Sequence, residues 1–162
     1  MKDSESDEQN NRFATIYPLR ILVVDDLDIN REFLRSFLRH LGYQIVIASN
    51  GLEAVEEVRK EKFDLILMDL EMPIMDGYES IRKIRKEQGL APFIAAVTCL
   101  KIEDVERFCD SSGADSYLPK PISLNDVKEL IRQAVSRLQP ETPQKGTPLE
   151  SFQQTELPRE NV

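Results

Sequence analysis

The sequence has no tryptophan, a single histidine and only two cysteines among its 162 residues. Cys99 and Cys109 form neither a CxxC pair nor a zinc-ligand pattern, so a disulfide framework and a structural zinc site are not indicated. We expect reduced thiols in a cytoplasmic protein. His40 has no second histidine with which to share a metal ion, and we expect it at the surface, in the last turn of a helix, where positive charge suits the helix dipole.

Positive charge is also scarce, with 21 lysines and arginines against 29 aspartates and glutamates and a net charge of −8. Sequence-independent binding to nucleic acid depends on lysine and arginine at the phosphates, so we expect no nucleic-acid partner. No apolar stretch approaches the roughly 20 residues that span a bilayer, and the N-terminus lacks a signal-peptide pattern. We therefore expect no membrane contact. As a separate expectation, the protein is a monomer or weak dimer.

Short apolar runs alternate with segments of helical periodicity along the chain. Each run has the length and composition of a strand, and the run around Leu65–Met68 reads as a strand buried on both faces. The runs lie at 20–24, 43–48, 65–68, 93–97 and 116–118. Five strands alternating with five helices predict an α/β fold with a parallel sheet and helices on both faces.

The predicted helices have recognisable starts and apolar faces. Asp28, Asn50, Asp76 and Ser123 are candidate N-caps, since their side chains accept hydrogen bonds from the first turn. The positions predicted to face inward on the first two helices are Ile29, Phe33, Leu34, Phe37, Leu38, Leu41, Leu52, Val55 and Val58. The fourth helix is predicted from Ile102 to Cys109.

The composition predicts three regions. Residues 1–17 are polar and acidic, and we expect a disordered arm whose Phe13, Ile16 and Tyr17 rest on the domain. Residues 18–138 form the domain. Residues 139–162 combine proline with glutamine, glutamate and threonine, which predicts a disordered tail.

Polar side chains stand where the predicted strands end. They are Asp25, Asp26, Asp69, Thr98 and Lys120. In a parallel sheet all the carboxyl ends of the strands lie at one edge, where ligands bind. Three carboxylates, a hydroxyl and an ammonium group are therefore expected to converge on one crevice.

The carboxylates of this crevice predict a magnesium site. Two unit charges about 5 Å apart repel by about 3 kcal/mol at an effective dielectric constant near 20, and a divalent cation relieves that repulsion. Oxygen ligands favour Mg²⁺. We expect Asp25 and Asp26 to hold the ion with Asp69, Asp26 more directly than Asp25, and the backbone carbonyl of Glu71 to supply a further ligand.

Asp69, on the central strand, is then the natural nucleophile. A carboxylate can attack phosphorus and form an aspartyl phosphate. The Lys120 ammonium, the Thr98 hydroxyl and Mg²⁺ would neutralise the phosphoryl oxygens as charge shifts.

The same residues resemble a known family, the receiver domain of two-component response regulators. The resemblance lies in VVDD at 23–26, MDLEMPIMDG at 68–77, Thr98 and KP at 120–121, and it covers residues 18–138. Asn30 and the NGxEA pattern at 50–54 make the chain most similar to the receivers of hybrid kinases and phosphorelays.

The resemblance implies a flavodoxin-like sheet of strand order 2-1-3-4-5. It implies Mg²⁺-dependent phosphotransfer to Asp69 from a histidine kinase or a histidine phosphotransfer protein, with a downstream target that the sequence does not name. Thr98 and Tyr117 match the family's switch pair, and Pro121 would follow a cis peptide. A receiver is not an enzyme in the ordinary sense; it catalyses its own phosphorylation and dephosphorylation. We expect slow dephosphorylation, because Leu100 cannot orient a water molecule by hydrogen bonding.

Two positions depart from the family pattern. Cys99 stands where the family usually has alanine, and Leu27 where this subgroup often has asparagine. No ATP-binding kinase signature is present, and the residues after the domain are too few for an output domain, so we expect a stand-alone receiver.

Two alternatives remain open at this point. The motif Asp26-Leu-Asp28 imitates the nucleophile motif of haloacid dehalogenase-type phosphatases, with Asp26 as nucleophile, but it leaves MDLEMPIMDG unexplained. A degenerate receiver that binds partners without phosphate is disfavoured by the intact set of five strand-end residues.

Overall fold

The computed structural model describes residues 12–99 and 112–139. Helices and strands alternate along these residues, as the apolar runs predict. In chain order they are α1 (Phe13–Ile16), β1 (Ile21–Val24), α2 (Asp28–His40), β2 (Ile45–Ala48), α3 (Gly51–Lys60), β3 (Leu65–Asp69), α4 (Gly77–Gln88), β4 (Phe93–Thr98), β5 (Ser116–Pro119) and α5 (Leu124–Leu138). The helix predicted from Ile102 to Cys109 lies outside the described residues.

The five strands form one parallel sheet in the order β2-β1-β3-β4-β5. β3 lies at the centre and all five of its residues are buried. The predicted α/β class and strand order are confirmed.

The central strand divides its side chains between two cores. Leu65 and Leu67 face a cluster that contains Leu34 of α2 and Leu130 of α5. Ile66 and Met68 face a second cluster, built with side chains of α3 and α4. Successive side chains of a strand point to opposite faces, so an unbroken apolar run is what a sheet covered on both faces requires.

Three of the four predicted N-caps are confirmed. The side chains of Asn50, Asp76 and Ser123 each accept a hydrogen bond from the backbone N–H three residues on. The prediction for Asp28 is wrong, because Leu27 is the N-cap and Asp28 is the first helical residue, paired with Arg31.

The domain begins earlier than predicted. Residues 13–16 form the short helix α1, and Phe13 is buried in the first core cluster, although an arm was expected up to residue 17. The Ala14 N–H donates to the Leu41 carbonyl at 2.9 Å, and the Tyr43 hydroxyl donates to the Tyr17 carbonyl at 2.6 Å. Apolar contact and satisfied backbone groups together hold α1 in place. Residues 1–11 and 140–162 lie outside the described residues.

Three side chains predicted to face inward are exposed. Ile29, Phe33 and Leu52 are 75%, 49% and 41% exposed. Each continues the apolar periodicity of its helix, but the neighbouring elements cover only part of that face, the part that carries Leu34 and Leu38 in α2. Within the described parts of the chain, none of the helices has both the length and the apolar character needed to cross a membrane.

Candidate functional site

The predicted site residues lie together at the carboxyl edge of the sheet. Asp25 follows β1, Asp69 ends β3, Thr98 ends β4 and Lys120 follows β5. Since β3 pairs with both β1 and β4, the strand ends that carry these residues are neighbours.

Carboxylate oxygens of Asp25, Asp26 and Asp69 all lie within 4.8 Å of one another. The Lys120 Nζ lies 3.1 Å from Asp25 Oδ2 and 3.3 Å from Asp69 Oδ1. Asp25 and Asp69 are buried, whereas Asp26 is half-buried. The crevice therefore combines three acidic groups with one ammonium group, as expected from the strand ends.

Asp25 is held in place by donors from the start of α2. Its carboxylate accepts from the Leu27 N–H at 2.9 Å, and the Asn30 side-chain amide reaches both of its oxygens at 3.1 Å. Arg31 donates to its backbone carbonyl at 2.5 Å. Sequence reasoning used Asn30 only as a family marker and missed this contact. The signal was its place in the first turn of a helix that starts directly behind the acidic pair.

Burial and charge act together on the groups of the crevice. Burial raises the pKa of Asp69; Lys120 partly offsets this, and the negative charges of Asp25 and Asp26 add to it. For Lys120, burial acts to lower the pKa, but the charges of Asp69 and Asp25 outweigh burial and raise the pKa. Lys120 therefore stays an ammonium group at neutral pH.

Gly77 allows α4 to start directly beneath Asp69. A Cβ at this position would lie 2.1 Å from the backbone oxygen of Asp69 and 2.8 Å from the Leu70 Cα. The Gly77 N–H donates to the Leu70 carbonyl at 3.0 Å. A side chain here would displace the backbone that carries Asp69.

The loop between Asp69 and α4 contains a strained residue, Ile74. Its φ is 73°, and among the described residues it is the one non-glycine residue with a positive φ. The Met75 N–H donates to the Pro73 carbonyl at 2.9 Å across it, which closes a γ-turn. A β-branched residue in this region is an outlier, and such strain costs on the order of 1–3 kcal/mol.

The protein-family model of the response regulator receiver domain matches residues 21–132 of this chain. The chain belongs to the response regulator receiver family. The receiver resembles part of the sensor histidine kinase RcsC of Escherichia coli strain K12, at 38% identity over 120 residues that cover 74% of this chain and 12% of RcsC. This chain therefore spans only a small part of the length of RcsC.

Two solved receivers show the same fold. The receiver domain of the sensor histidine kinase PA1611 from Pseudomonas aeruginosa PAO1 aligns with a TM-score of 0.67 and 30% identity, over 73% of this chain and 98% of that one. The receiver of Ssk1 from Saccharomyces cerevisiae was crystallised with the histidine phosphotransfer protein Ypd1. It aligns with a TM-score of 0.69 and 29% identity, over 74% of this chain and 90% of that one. The predicted similarity to kinase-associated receivers is confirmed, and the phosphatase alternative finds no support among these relatives.

The residues of the receiver fit a magnesium ion. The PA1611 receiver holds magnesium in its active-site cleft. In the present receiver the three carboxylates at one edge offer the hard oxygen donors that Mg²⁺ prefers. Glu71 lies in the loop that follows Asp69, with its side chain exposed. The ligand role of its backbone carbonyl stays a prediction.

The two residues predicted to form a switch pair, Thr98 and Tyr117, lie on neighbouring strands, β4 and β5. Thr98 is buried, and its carbonyl accepts a hydrogen bond from the Lys120 N–H at 2.9 Å. Tyr117 on β5 is half-buried and packs against the second core cluster. The peptide bond between Lys120 and Pro121 is cis, as the resemblance implies.

Proposed function

We propose that this receiver accepts a phosphoryl group on Asp69 from a phosphohistidine of a histidine kinase or histidine phosphotransfer protein. It then acts as a conformational switch or as an intermediate in a phosphorelay. The observation that carries the proposal is the position of Asp69, a buried carboxylate with Lys120 Nζ at 3.3 Å and two further carboxylates within 4.8 Å.

The reaction transfers a phosphoryl group between two nucleophiles. A carboxylate oxygen of Asp69 forms a bond to phosphorus while the phosphorus–nitrogen bond to the donor imidazole breaks. The imidazole nitrogen keeps the electron pair of that bond. Because three phosphoryl oxygens carry negative charge, catalysis rests on positioning and charge neutralisation.

The other residues of the crevice have distinct roles in this proposal. Lys120 exchanges its contact with Asp69 for the phosphoryl oxygens, and Thr98 donates its hydroxyl to them. Asp25 and Asp26 hold Mg²⁺, together with Asp69 and the Glu71 carbonyl. When bound, the ion supplies positive charge at the phosphoryl oxygens.

A related complex supports the proposed partner class. The Ssk1 receiver was crystallised with Ypd1, a histidine phosphotransfer protein. The present receiver carries its three carboxylates together at the carboxyl edge of the sheet, with Asp26 half-buried. We propose a cytoplasmic location, a monomer or weak dimer, and an unidentified downstream protein target. The tail predicted for residues 139–162 lies outside the described residues except at Gln139.

In the terms of this proposal, the receiver catalyses its own phosphorylation and its own slow dephosphorylation, with no other substrate. Leu100, which underlies the slow dephosphorylation, lies outside the described residues. Its replacement by asparagine is expected to shorten the lifetime of the phosphoryl group, because a polar side chain can orient the attacking water. An unchanged lifetime would count against this role.

Phosphorylation of Asp69→Asn tests the proposal. Wild-type protein incubated with phosphoramidate and Mg²⁺ should gain one alkali-labile phosphoryl group by intact-mass spectrometry, and Asp69→Asn should gain none. Asp28→Asn is the matched control, since Asp28 is close in sequence but has a side chain that is 92% exposed. Equal labelling of wild type and Asp69→Asn would contradict the assignment, and a label on Asp26 would favour the phosphatase alternative.

A further inference from the structure

Ile74 combines a strained backbone with a side chain that adds almost nothing to folding. Its backbone is left-handed, with φ at 73°, and its side chain is 78% exposed. Glycine or asparagine would adopt the same backbone at lower cost. An exposed aliphatic side chain gains almost nothing from burial within the domain. Folding alone therefore gives no reason for isoleucine at this position.

The loop around Ile74 is anchored on both sides, so the strained residue stays at its tip. Met72 and Met75 are buried in the second core cluster. The Met75 carbonyl accepts the Gly51 N–H at 3.0 Å, which ties the loop to the start of α3. The side chain between these anchors is presented to solvent five residues after Asp69.

Other exposed apolar side chains follow the acidic pair on the neighbouring strand. Leu27 is 53% exposed and Ile29 is 75% exposed, and both lie within three residues of Asp26. The crevice itself is charged, so a small phosphodonor gains nothing from apolar groups around it. A protein that carries its phosphohistidine on an apolar surface does gain, because contact removes these side chains from water.

We propose that Ile74 is a specificity-determining contact of this receiver, whose side chain becomes buried against an apolar patch next to the phosphohistidine of the donor protein. The inference rests on the proposed function and adds the residue that recognises the donor. Strained backbone clusters at functional sites. Because a few side chains carry most of the affinity of an interface, one contact at this position can affect donor binding measurably.

The test compares a protein donor with a small donor. Transfer is measured from phosphohistidine proteins, beginning with phosphorylated Ypd1 and continuing through a panel of histidine phosphotransfer proteins. The donor that labels wild type fastest is then used throughout. Phosphoramidate is the small donor. The variants are Ile74→Asn, which relieves the backbone and removes the apolar group, and Ile74→Leu, which keeps an apolar side chain. Leu90→Asn is the matched control, because Leu90 is 79% exposed and precedes β4 at the opposite edge of the sheet.

The expected results separate contact from strain. Ile74→Asn should raise KM for the protein donor about tenfold, which corresponds to about 1.4 kcal/mol, and leave kcat and phosphoramidate labelling unchanged. Its urea midpoint should rise, because the backbone strain is relieved. Ile74→Leu and Leu90→Asn should both keep the wild-type KM.

Several outcomes would overturn the inference. One is an unchanged KM in Ile74→Asn. Another is an equal loss of labelling with phosphoramidate. That result would mean that Ile74 acts by setting the conformation of the loop and not by contacting the donor protein. Labelling by phosphoramidate but by no phosphohistidine protein would remove the inference together with the partner class. Labelling of Asp69→Asn would instead remove the proposed function, so the two failures are distinguishable.

Discussion

Gly77 shows how closely a single position is coupled to the acceptor. Gly77→Ala should destabilise the fold by about 1–3 kcal/mol, because the added methyl group overlaps the Asp69 backbone. It should also slow phosphoramidate labelling, since that backbone positions the carboxylate. Gly89→Ala is the control. Gly89 has φ at 65° and open space around it, so its substitution should lower stability without changing the labelling rate. Equal labelling rates in both variants would contradict the coupling.

Asp26 and Asp28 separate metal binding from helix formation. Asp26→Asn should weaken Mg²⁺ binding at least about tenfold, equivalent to about 1.4 kcal/mol, because it removes one of three clustered carboxylates. Asp28→Asn should leave Mg²⁺ affinity nearly unchanged, because its exposed side chain pairs with Arg31. Isothermal titration with MgCl₂ measures both. A greater loss of Mg²⁺ affinity in Asp28→Asn than in Asp26→Asn would favour the phosphatase alternative.

The short helix α1 extends the domain beyond the residues that the family model matches, which begin at 21. Phe13 is 8% exposed. Its ring centroid lies 4.8 Å from that of Tyr17, with the two rings tilted, and 5.4 Å from the Arg132 guanidinium of α5. α1 therefore packs against the last helix of the domain. The Phe13 ring is part of the core cluster that α2 and α5 share.

Truncation of the Phe13 ring measures what α1 contributes. Phe13→Ala should lower the free energy of unfolding by about 3 kcal/mol, at the low end for a buried phenylalanine because Phe13 lies at the border of the core. Ile16→Ala in the same helix should change it by less than about 0.5 kcal/mol, since Ile16 is 63% exposed. Urea denaturation followed by circular dichroism gives both values. Similar losses of unfolding free energy in the two variants would show that Phe13 is not the residue that anchors α1.

The domain as a whole is expected to switch through Thr98 and Tyr117. Phosphoryl oxygens attract the Thr98 hydroxyl, and the space left behind it admits the Tyr117 ring from the neighbouring strand β5. Reversing a 1:99 population requires about 5.5 kcal/mol, whereas one hydroxyl bond contributes about 1 kcal/mol. The contacts of Lys120 and Mg²⁺ must therefore supply most of the difference.

Hydrogen exchange with and without beryllofluoride, a mimic of the phosphoryl group, tests this coupling. Wild type should change its exchange in β5 and α5 when the mimic and Mg²⁺ are added. Thr98→Ala should still be phosphorylated but should lose most of that change. Asp69→Asn with the mimic serves as the control and should show no change. A full wild-type response in Thr98→Ala would mean that the signal leaves the crevice by another face.

The carboxyl-edge site was predictable from local pattern because a parallel sheet has a simple geometry. Once four apolar runs were recognised as strands, the residues at their ends, Asp25, Asp69, Thr98 and Lys120, had to meet at one edge. Helix caps at Asn50, Asp76 and Ser123 were equally local, since a cap depends on its own first turn.

Long-range packing determined the features that the sequence pattern predicted wrongly or missed. Periodicity shows which side chains share a face, but not which part of that face a neighbour covers. Ile29 and Phe33 are therefore predicted to face inward but are 75% and 49% exposed. Phe13 joined the core because α2 and α5, far apart in sequence, leave room for its ring. Ile74 took a left-handed backbone because Met72 and Met75 are buried on either side of it, and the path between these two anchors exists only in the folded chain.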